Sequence, residues 1–141
     1  MKLNPLWMIA VAGLAMAGCN KAESPAEVQH DVSTAQAEGQ KDVAEAQADA
    51  RKDMADAQKD IATAQADRDP ADAAGAAQDA SEEAAKAEYK VAVAQADANH
   101  KVAVQKCEAL QGSAQKDCKD RADAEYDSAK RQAELRRDGT G

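Results

Sequence analysis

The scarcity of large apolar side chains limits what this chain can fold into more than any other feature of its sequence. From residue 19 onward it contains seven valines, two leucines, one isoleucine and no phenylalanine, and most of its 44% apolar content is alanine. So low a share of bulky apolar residues excludes a wide hydrophobic core and is typical of disordered chains. Alanine is also the strongest helix former, and Lys, Arg, Gln and Glu follow it. The composition therefore predicts an all-α chain of long helices with thin contacts between them.

The charges of the chain argue against nucleic acid as a partner. The formal net charge is −8, with 13 acidic and 6 basic side chains in residues 20–75 and 13 and 11 in residues 76–141. A nucleic-acid-binding surface needs clustered Lys and Arg, and the sequence has no such patch with interleaved aromatic residues. The sequence also offers no nucleophile–base pair, phosphate-binding loop or ligand cluster. We therefore expect no enzyme activity, no cofactor, no metal and no small-molecule substrate.

The first twenty residues, MKLNPLWMIAVAGLAMAGCN, have the layout of an export signal. Lys2 supplies a positive start, and residues 6–17 form an apolar run that ends in small residues. A membrane-spanning helix needs about 18 or more apolar residues, so this run is too short to be one. It fits the apolar region of a secretory signal, and we predict a signal peptide over residues 1–18.

Residues 16–19, Met-Ala-Gly-Cys, resemble the lipobox of bacterial lipoproteins, with Met where Leu is usual. The resemblance implies that the leader is cleaved between Gly18 and Cys19, and that Cys19 becomes a lipid-carrying N-terminus. Two or three acyl chains on one residue give stable membrane attachment. Asn20, in place of Asp, implies sorting to the outer membrane. We expect a lipidated tether over residues 19–24 and a protein that faces the periplasm.

Two further cysteines, Cys107 and Cys118, flank a Gly-Ser pair in the segment CEALQGSAQKDC. Export places them in an oxidising compartment, and lipidation of Cys19 leaves them as an even pair. Gly112 predicts the end of one helix, and Ser113 can cap the next. The two cysteines are equally far from the centre of that turn, so antiparallel helices bring them together. We predict a disulfide-closed helical hairpin, while a redox-active pair and a zinc site are alternatives that the spacing favours less.

The same turn predicts the register of the hairpin, whose helices we place over residues 70–111 and 113–137. Mirror symmetry about the turn sets His100 opposite Glu125. Both His100 and His30 are interpreted as solvated surface residues. Residues spaced three or four apart define one face of the returning helix. That face contains Cys118, Ala122, Tyr126, Ala129 and Ala133.

An 11-residue repeat occupies the N-terminal half of the chain. Its motif, Asp–apolar–x–x–Ala-Gln, starts at positions 31, 42, 53 and 60, and steps of 11 are typical of helices that supercoil weakly or right-handedly. The repeat produces a stripe of apolar and small residues: Val32, Ala35, Gly39, Val43, Ala46, Ala50, Met54, Ala57, Ile61 and Ala64. A second alanine face lies beside it: Ala44, Ala48, Ala55, Ala62 and Ala66. A shorter echo, KVAVAQ and KVAVQK, starts at positions 90 and 101.

Capping signals set the ends of the repeat helix. Ser24 and Glu27 around Pro25 predict a capping box, and Asp69-Pro70 predicts the next helix start, so we place the repeat helix over residues 25–68. We assign residues 69–137 to the hairpin and residues 138–141 to a disordered tail.

An alanine-rich stripe is too weak to hold an isolated helix. It can pair with another copy as a coiled coil, pack on the hairpin, or stay partly disordered; of these we favour self-association into a homo-oligomer.

The lipobox together with the alanine-rich repeat is similar to small outer-membrane lipoproteins of the Braun type, over residues 1–68. That resemblance implies helices that trimerise and space the membrane from peptidoglycan. The C-terminal lysine by which that family joins the wall has no counterpart in RRDGTG. We therefore expect a lipid-anchored structural or spacer protein without a covalent wall link.

Two other resemblances bear on function. The alanine-rich, aromatic-poor repeat is similar to stress-protective proteins of the late-embryogenesis-abundant type, which implies the alternative of a flexible protectant in the cell envelope. The segment around Cys107 resembles a stretch of exported bacterial proteins without a known mechanism. Four cations near the C-terminus form a basic end that peptidoglycan or an envelope protein could contact, although cations also stabilise the last turn of a helix. They are Lys130, Arg131, Arg136 and Arg137.

Overall fold

The computed structural model describes residues 22–67 and 69–139, and nearly all of them are helical. Helix α1 spans Pro25–Ala66, α2 spans Pro70–Cys107 and α3 spans Gly112–Asp138, with no strand in the described residues. The prediction of an all-α chain with one long helix followed by a helical hairpin is confirmed. At 1.5 Å per residue, the 42 residues of α1 extend for about 63 Å.

The predicted capping signals set the starts of the first two helices. The Ser24 hydroxyl accepts a hydrogen bond from the Glu27 backbone N–H, and the Glu27 carboxylate accepts one from the Ser24 N–H at 2.9 Å. The Asp69 carboxylate accepts from the N–H groups of Ala71 and Asp72. Helix α1 ends at Ala66, two residues before the predicted end.

Helix α2 lies between the other two helices. It packs against α1 and against α3, whereas the described parts of α1 and α3 do not pack on each other. Ala98 contacts α1, and His100 and Cys107 contact α3. Because successive residues are about 100° apart around a helix, these positions lie on nearly opposite sides of α2. The molecule is therefore a layer of three antiparallel neighbours with α2 at its centre.

The predicted stripe of α1 is the surface that meets α2. All ten of its positions are buried or half-buried, whereas the second alanine face is exposed throughout. Gly39 marks a close approach of the two helices, because a Cβ added there would lie 2.6 Å from the Cβ of Ala98. The stripe thus packs on the hairpin, the second of its three predicted arrangements.

The two sets of 11-residue repeats set the register between α1 and α2. Lys101 donates to Asp42 at 2.9 Å, and Lys90 donates to Asp53 at 3.2 Å. Asp42 and Asp53 open successive repeats of α1, and Lys90 and Lys101 open the KVAV repeats of α2. Each repeat of one helix therefore faces one repeat of the other.

The hairpin of α2 and α3 follows the predicted mirror symmetry, but its turn differs in detail. Helix α2 ends at Cys107, four residues before the predicted end, because the N–H groups of residues 108–110 fold back onto carbonyls of the last turn. Gly112 has φ +60, the left-handed conformation expected of it, and stands at the first position of α3. Ser113 does not cap α3, whose N-cap is Gln111 without a side-chain hydrogen bond. The predicted cap is therefore wrong.

The predicted face of α3 is confirmed, since Cys118, Ala122, Tyr126, Ala129 and Ala133 are all buried or half-buried. The neighbours of His100 differ from Glu125, the residue that mirror symmetry sets opposite it. The Tyr126 ring takes the position facing His100, with ring centroids 5.0 Å apart, and the imidazole reaches Asp123 instead of Glu125. The predicted disordered tail begins at residue 138, but Asp138 is the last residue of α3, so the helix extends one residue further than predicted.

Candidate functional site

The predicted site residues fall into two groups. Gly18 and Cys19, the predicted cleavage and lipidation positions, lie outside the described residues. Cys107 and Cys118 lie at the turn between α2 and α3, where their sulfur atoms are within bonding distance and their Cα atoms are 5.7 Å apart. That Cα separation lies within the range of 4.4–6.8 Å usual for disulfides.

The surroundings of the cysteine pair suit a structural crosslink. Cys107 is 1% exposed and is the largest fully buried side chain among the described residues, and Cys118 is half-buried. A redox-active cysteine must be reached by a partner thiol, so burial of Cys107 argues against exchange chemistry there. Among the described residues, no group of three or more His, Cys, Asp or Glu side chains could hold a metal ion.

A hydrogen-bonded cluster ties the start of the described chain to this turn. The backbone N–H of Glu23 donates to the carbonyl of Glu108 at 3.0 Å. The Glu108 carboxylate accepts from the Lys119 ammonium at 2.6 Å and from the Gln115 amide at 2.7 Å. This cluster joins the segment before α1 to both helices of the hairpin. Sequence reasoning missed it because its members are spread over almost 100 positions without a shared motif.

The carboxyl group of Glu23 lies in an unfavourable environment for a negative charge. Its Oε2 atom is buried and has no hydrogen-bond partner in the described part of the chain. Burial raises the pKa of the Glu23 carboxyl above its ordinary value of 4.5, and the negative charges of Asp31, Glu108 and Glu27 raise it further. The Lys119 ammonium acts in the opposite direction. The charged form of Glu23 is therefore disfavoured in the folded chain.

A second polar cluster lies inside the α2–α3 contact around Tyr126. His100 Nε2 lies 2.6 Å from a carboxylate oxygen of Asp123, and the ammonium of Lys130 lies 5.1 Å from the centre of the Tyr126 ring. A hydrogen bond to Asp97 is the main cause that raises the pKa of the Tyr126 hydroxyl. The contacts of His100 and Asp97 join α2 to α3, and the Lys130 contact lies within α3, so we interpret the cluster as part of the packing.

The two histidines are not brought into one site. His30 lies on α1 beside its neighbour Asp31, with a side chain that is 79% exposed. His100 lies on α2 and is 27% exposed. The interpretation of His30 as a surface residue fits this placement, whereas His100 is half-buried in the contact between two helices.

Two cations of the predicted basic end of α3 contact other side chains of the protein. The Arg137 guanidinium lies 4.7 Å from the centre of the Tyr89 ring and 2.8 Å from the Asp138 carboxylate. Lys130 lies over Tyr126, as described above. Such cation–ring contacts stabilise by roughly 0.5–1 kcal/mol at exposed sites. Arg137 therefore helps to fasten the last turn of α3 to α2, whereas the Lys130 contact lies within α3.

An open groove of about 730 Å³ lies on α2 near the end of α3, and residues of all three helices line it. Its walls include Met54, Tyr89 and Leu135, and Arg136 and Arg137 stand at its edge. Leu135 is 73% exposed. This lining suits contact with another apolar surface better than acid–base chemistry.

No helix among the described residues is long and apolar enough to cross a membrane. Comparisons of the chain with protein families, with characterised proteins and with solved structures give no match.

Proposed function

We propose that the protein is a non-enzymatic lipoprotein, anchored to the outer membrane through Cys19 and facing the periplasm, where it acts as a structural spacer. The observation that carries this proposal is the lipobox-like segment Met-Ala-Gly-Cys, which ends six residues before the capped start of α1 at Pro25. A lipid on Cys19 would lead through a very short tether into a long helix.

The dimensions of the helices support a spacer. A single alanine-rich helix is marginal in water because most helix stability in proteins comes from packing. Here α2 returns along α1 and covers its apolar stripe, so the rod of about 63 Å is braced along most of its length. A braced rod keeps its length better than an isolated helix does.

Self-association is part of the proposal, but it cannot use the first stripe of α1, which α2 covers. Among the described residues, surfaces open to another copy of the chain include the exposed second alanine face of α1 and the groove beside Leu135. Peptidoglycan or another envelope protein is the partner that we expect at a distance from the membrane. Removal of Lys2 with the leader changes the formal net charge from −8 to −9, which favours a partner that carries cations.

The anchor is tested by fractionation of cells that express the wild type, a Cys19→Ala variant and a Cys118→Ser variant. Wild type and Cys118→Ser should sediment with the outer membrane, because Cys118 is not a lipid acceptor. Cys19→Ala should not carry lipid and should leave the outer-membrane fraction. A Cys19→Ala protein that stays with the outer membrane contradicts the anchor.

The spacer role and self-association need separate measurements. Electron cryotomography of cells without the protein should show a less uniform distance between outer membrane and wall. Analytical ultracentrifugation of residues 20–141 over a wide concentration range should show a discrete oligomer, and a monomer at every concentration contradicts self-association. In circular dichroism of the same protein, low helicity that rises only with a dehydrating cosolvent would instead support the stress-protective alternative.

A further inference from the structure

The two ends of the helical layer differ in charge. Residues 109–115, Ala-Leu-Gln-Gly-Ser-Ala-Gln, cover the turn between α2 and α3 and the start of α3, and they carry no charge, although 31% of the chain is charged. This is the longest uncharged run after residue 19. At the opposite end, residues 67–72, which cover the turn between α1 and α2 and the start of α2, include four charged residues. An uncharged turn is suited to a lipid surface, and a charged turn is suited to water.

The uncharged turn lies at the end where the chain would enter the membrane. The Glu23 N–H donates to the Glu108 carbonyl, one residue before the uncharged run. Cys19 precedes Glu23 by four residues, and four extended residues reach at most about 14 Å. If Cys19 carries the lipid, as in the proposed function on which this inference rests, the turn cannot lie far from the bilayer surface.

The two charged residues that flank this run in the sequence, Glu108 and Lys116, are each paired. The Glu108 carboxylate lies 2.6 Å from the Lys119 ammonium, and Lys116 lies 2.6 Å from Asp120. Placing the turn among lipid headgroups therefore leaves none of these four charges without a partner. Leu110, at 40% exposed, is one of two large apolar side chains that the described residues expose, and it stands at the tip of the turn.

We propose that residues 109–115 rest on the outer membrane, with Leu110 inserted at the boundary between headgroups and acyl chains. The three helices then stand on their disulfide-closed end. The turn that contains Asp67 and Asp69 is held away from the membrane by the length of α1. The lipid on Cys19 supplies the attachment, and the turn supplies the orientation.

A tryptophan reporter tests this orientation, because the only tryptophan of the sequence, Trp7, lies in the predicted leader. Lipid-modified Leu110→Trp is reconstituted into phosphatidylcholine vesicles whose acyl chains carry bromine, a contact quencher of indole fluorescence. The matched control is Ala66→Trp, an exposed position at the last residue of α1. Circular dichroism checks that both variants keep their helices, and vesicle flotation checks that both are attached.

We expect the emission of Leu110→Trp to shift to the blue and to be quenched by the brominated lipid, since a side chain about 5–10 Å into the interface is within reach of the acyl chains. Ala66→Trp should be unaffected. If the protein floats with the vesicles while the Leu110→Trp emission is not quenched, or is quenched no more than the control, the orientation is wrong and the lipid anchor stands. A wild-type protein that does not float contradicts the anchor and the orientation together.

Discussion

The two contacts of α2 are both built largely from small side chains, but they obtain their specificity in different ways. Its contact with α1 is long, and it combines a close backbone approach at Gly39 with two ion pairs that repeat every 11 residues. Its contact with α3 is shorter and contains the disulfide, the His100–Tyr126 ring contact and the Arg137–Tyr89 contact. One contact is specified by a repeated pattern, and the other by a few individual side chains.

This difference has a physical origin in how little an alanine contact contributes. Burial of apolar surface stabilises by roughly 25 cal/mol per Å², so a small side chain adds little and fits many registers equally well. A long contact can add the small contributions of many alanines, whereas a short contact needs individual interactions that each contribute more. We therefore expect substitutions in the two contacts to change the stability of the protein by different amounts and through different interactions.

The largest effect should come from the disulfide. Replacement of Cys107 and Cys118 together by serine should lower the free energy of unfolding by about 3 kcal/mol, because the crosslink restricts the unfolded chain. The α2–α3 contact should loosen first, while the α1–α2 contact persists. Denaturant unfolding measures the total, and hydrogen exchange resolves the two contacts. Equal loss of protection in α1 and α3 would show that the contacts are not independent.

A pair of glycine substitutions should have effects of opposite sign. Gly39→Ala forces its new Cβ against Ala98 and should destabilise the protein by about 2 kcal/mol, as overpacked contacts do. Gly75→Ala meets no atom within 4 Å and should stabilise by up to about 1 kcal/mol, because alanine is the better helix former. Thermal unfolding of both variants provides the test. Stabilisation by Gly39→Ala would disprove the close approach of α1 and α2.

Charge reversal should have a smaller effect on the α1–α2 register. Asp42→Lys and Lys101→Asp should each lower the melting temperature slightly, as expected for an exposed ion pair, and the double variant should recover most of that loss. The effect should shrink at high salt, since the pair is exposed. A matched control is the Lys41–Glu45 pair, which lies within α1 and cannot affect the register. Without recovery in the double variant, the pair does not contribute to the register.

The smallest effect should come from Glu23 and should depend on pH. A carboxyl whose pKa is raised on folding stabilises the folded state at pH below 4.5 and loses that contribution as pH rises through the raised value. Glu23→Gln should therefore raise the melting temperature slightly at neutral pH and have no effect in acid. Melting curves at several pH values measure this difference. A gain that is independent of pH would show that burial of the charge is not its cause.

The sequence predicts much of this fold because helix starts and apolar stripes are local properties. The capping residues Ser24 and Asp69 act on backbone groups two or three positions away, so their roles can be read without tertiary structure. The mirror symmetry of Cys107 and Cys118 likewise needs only the position of one turn. For the same reason, all ten positions of the predicted α1 stripe are buried or half-buried.

The partner of that stripe could not be predicted from the stripe alone. An alanine surface accepts α2 or a second copy with similar energy, so the choice depends on residues outside it. The matching 11-residue steps from Asp42 to Asp53 and from Lys90 to Lys101 were the signal that could have identified α2. The cluster around Glu23 and Glu108 had no such signal, because it forms only once the hairpin has placed the turn beside the start of α1.

The matched repeats of α1 and α2 have a consequence for how the protein could change in length. Insertion of one 11-residue unit into each helix would keep Asp42 opposite Lys101 and Asp53 opposite Lys90, and it would leave both turns and the disulfide unaltered. Each such paired insertion would lengthen the layer by about 16 Å. An insertion into one helix alone would misalign its ion pairs and its small residues. Evolution could therefore change the length of the helical layer in discrete steps, by duplicating one repeat in α1 and one in α2 together.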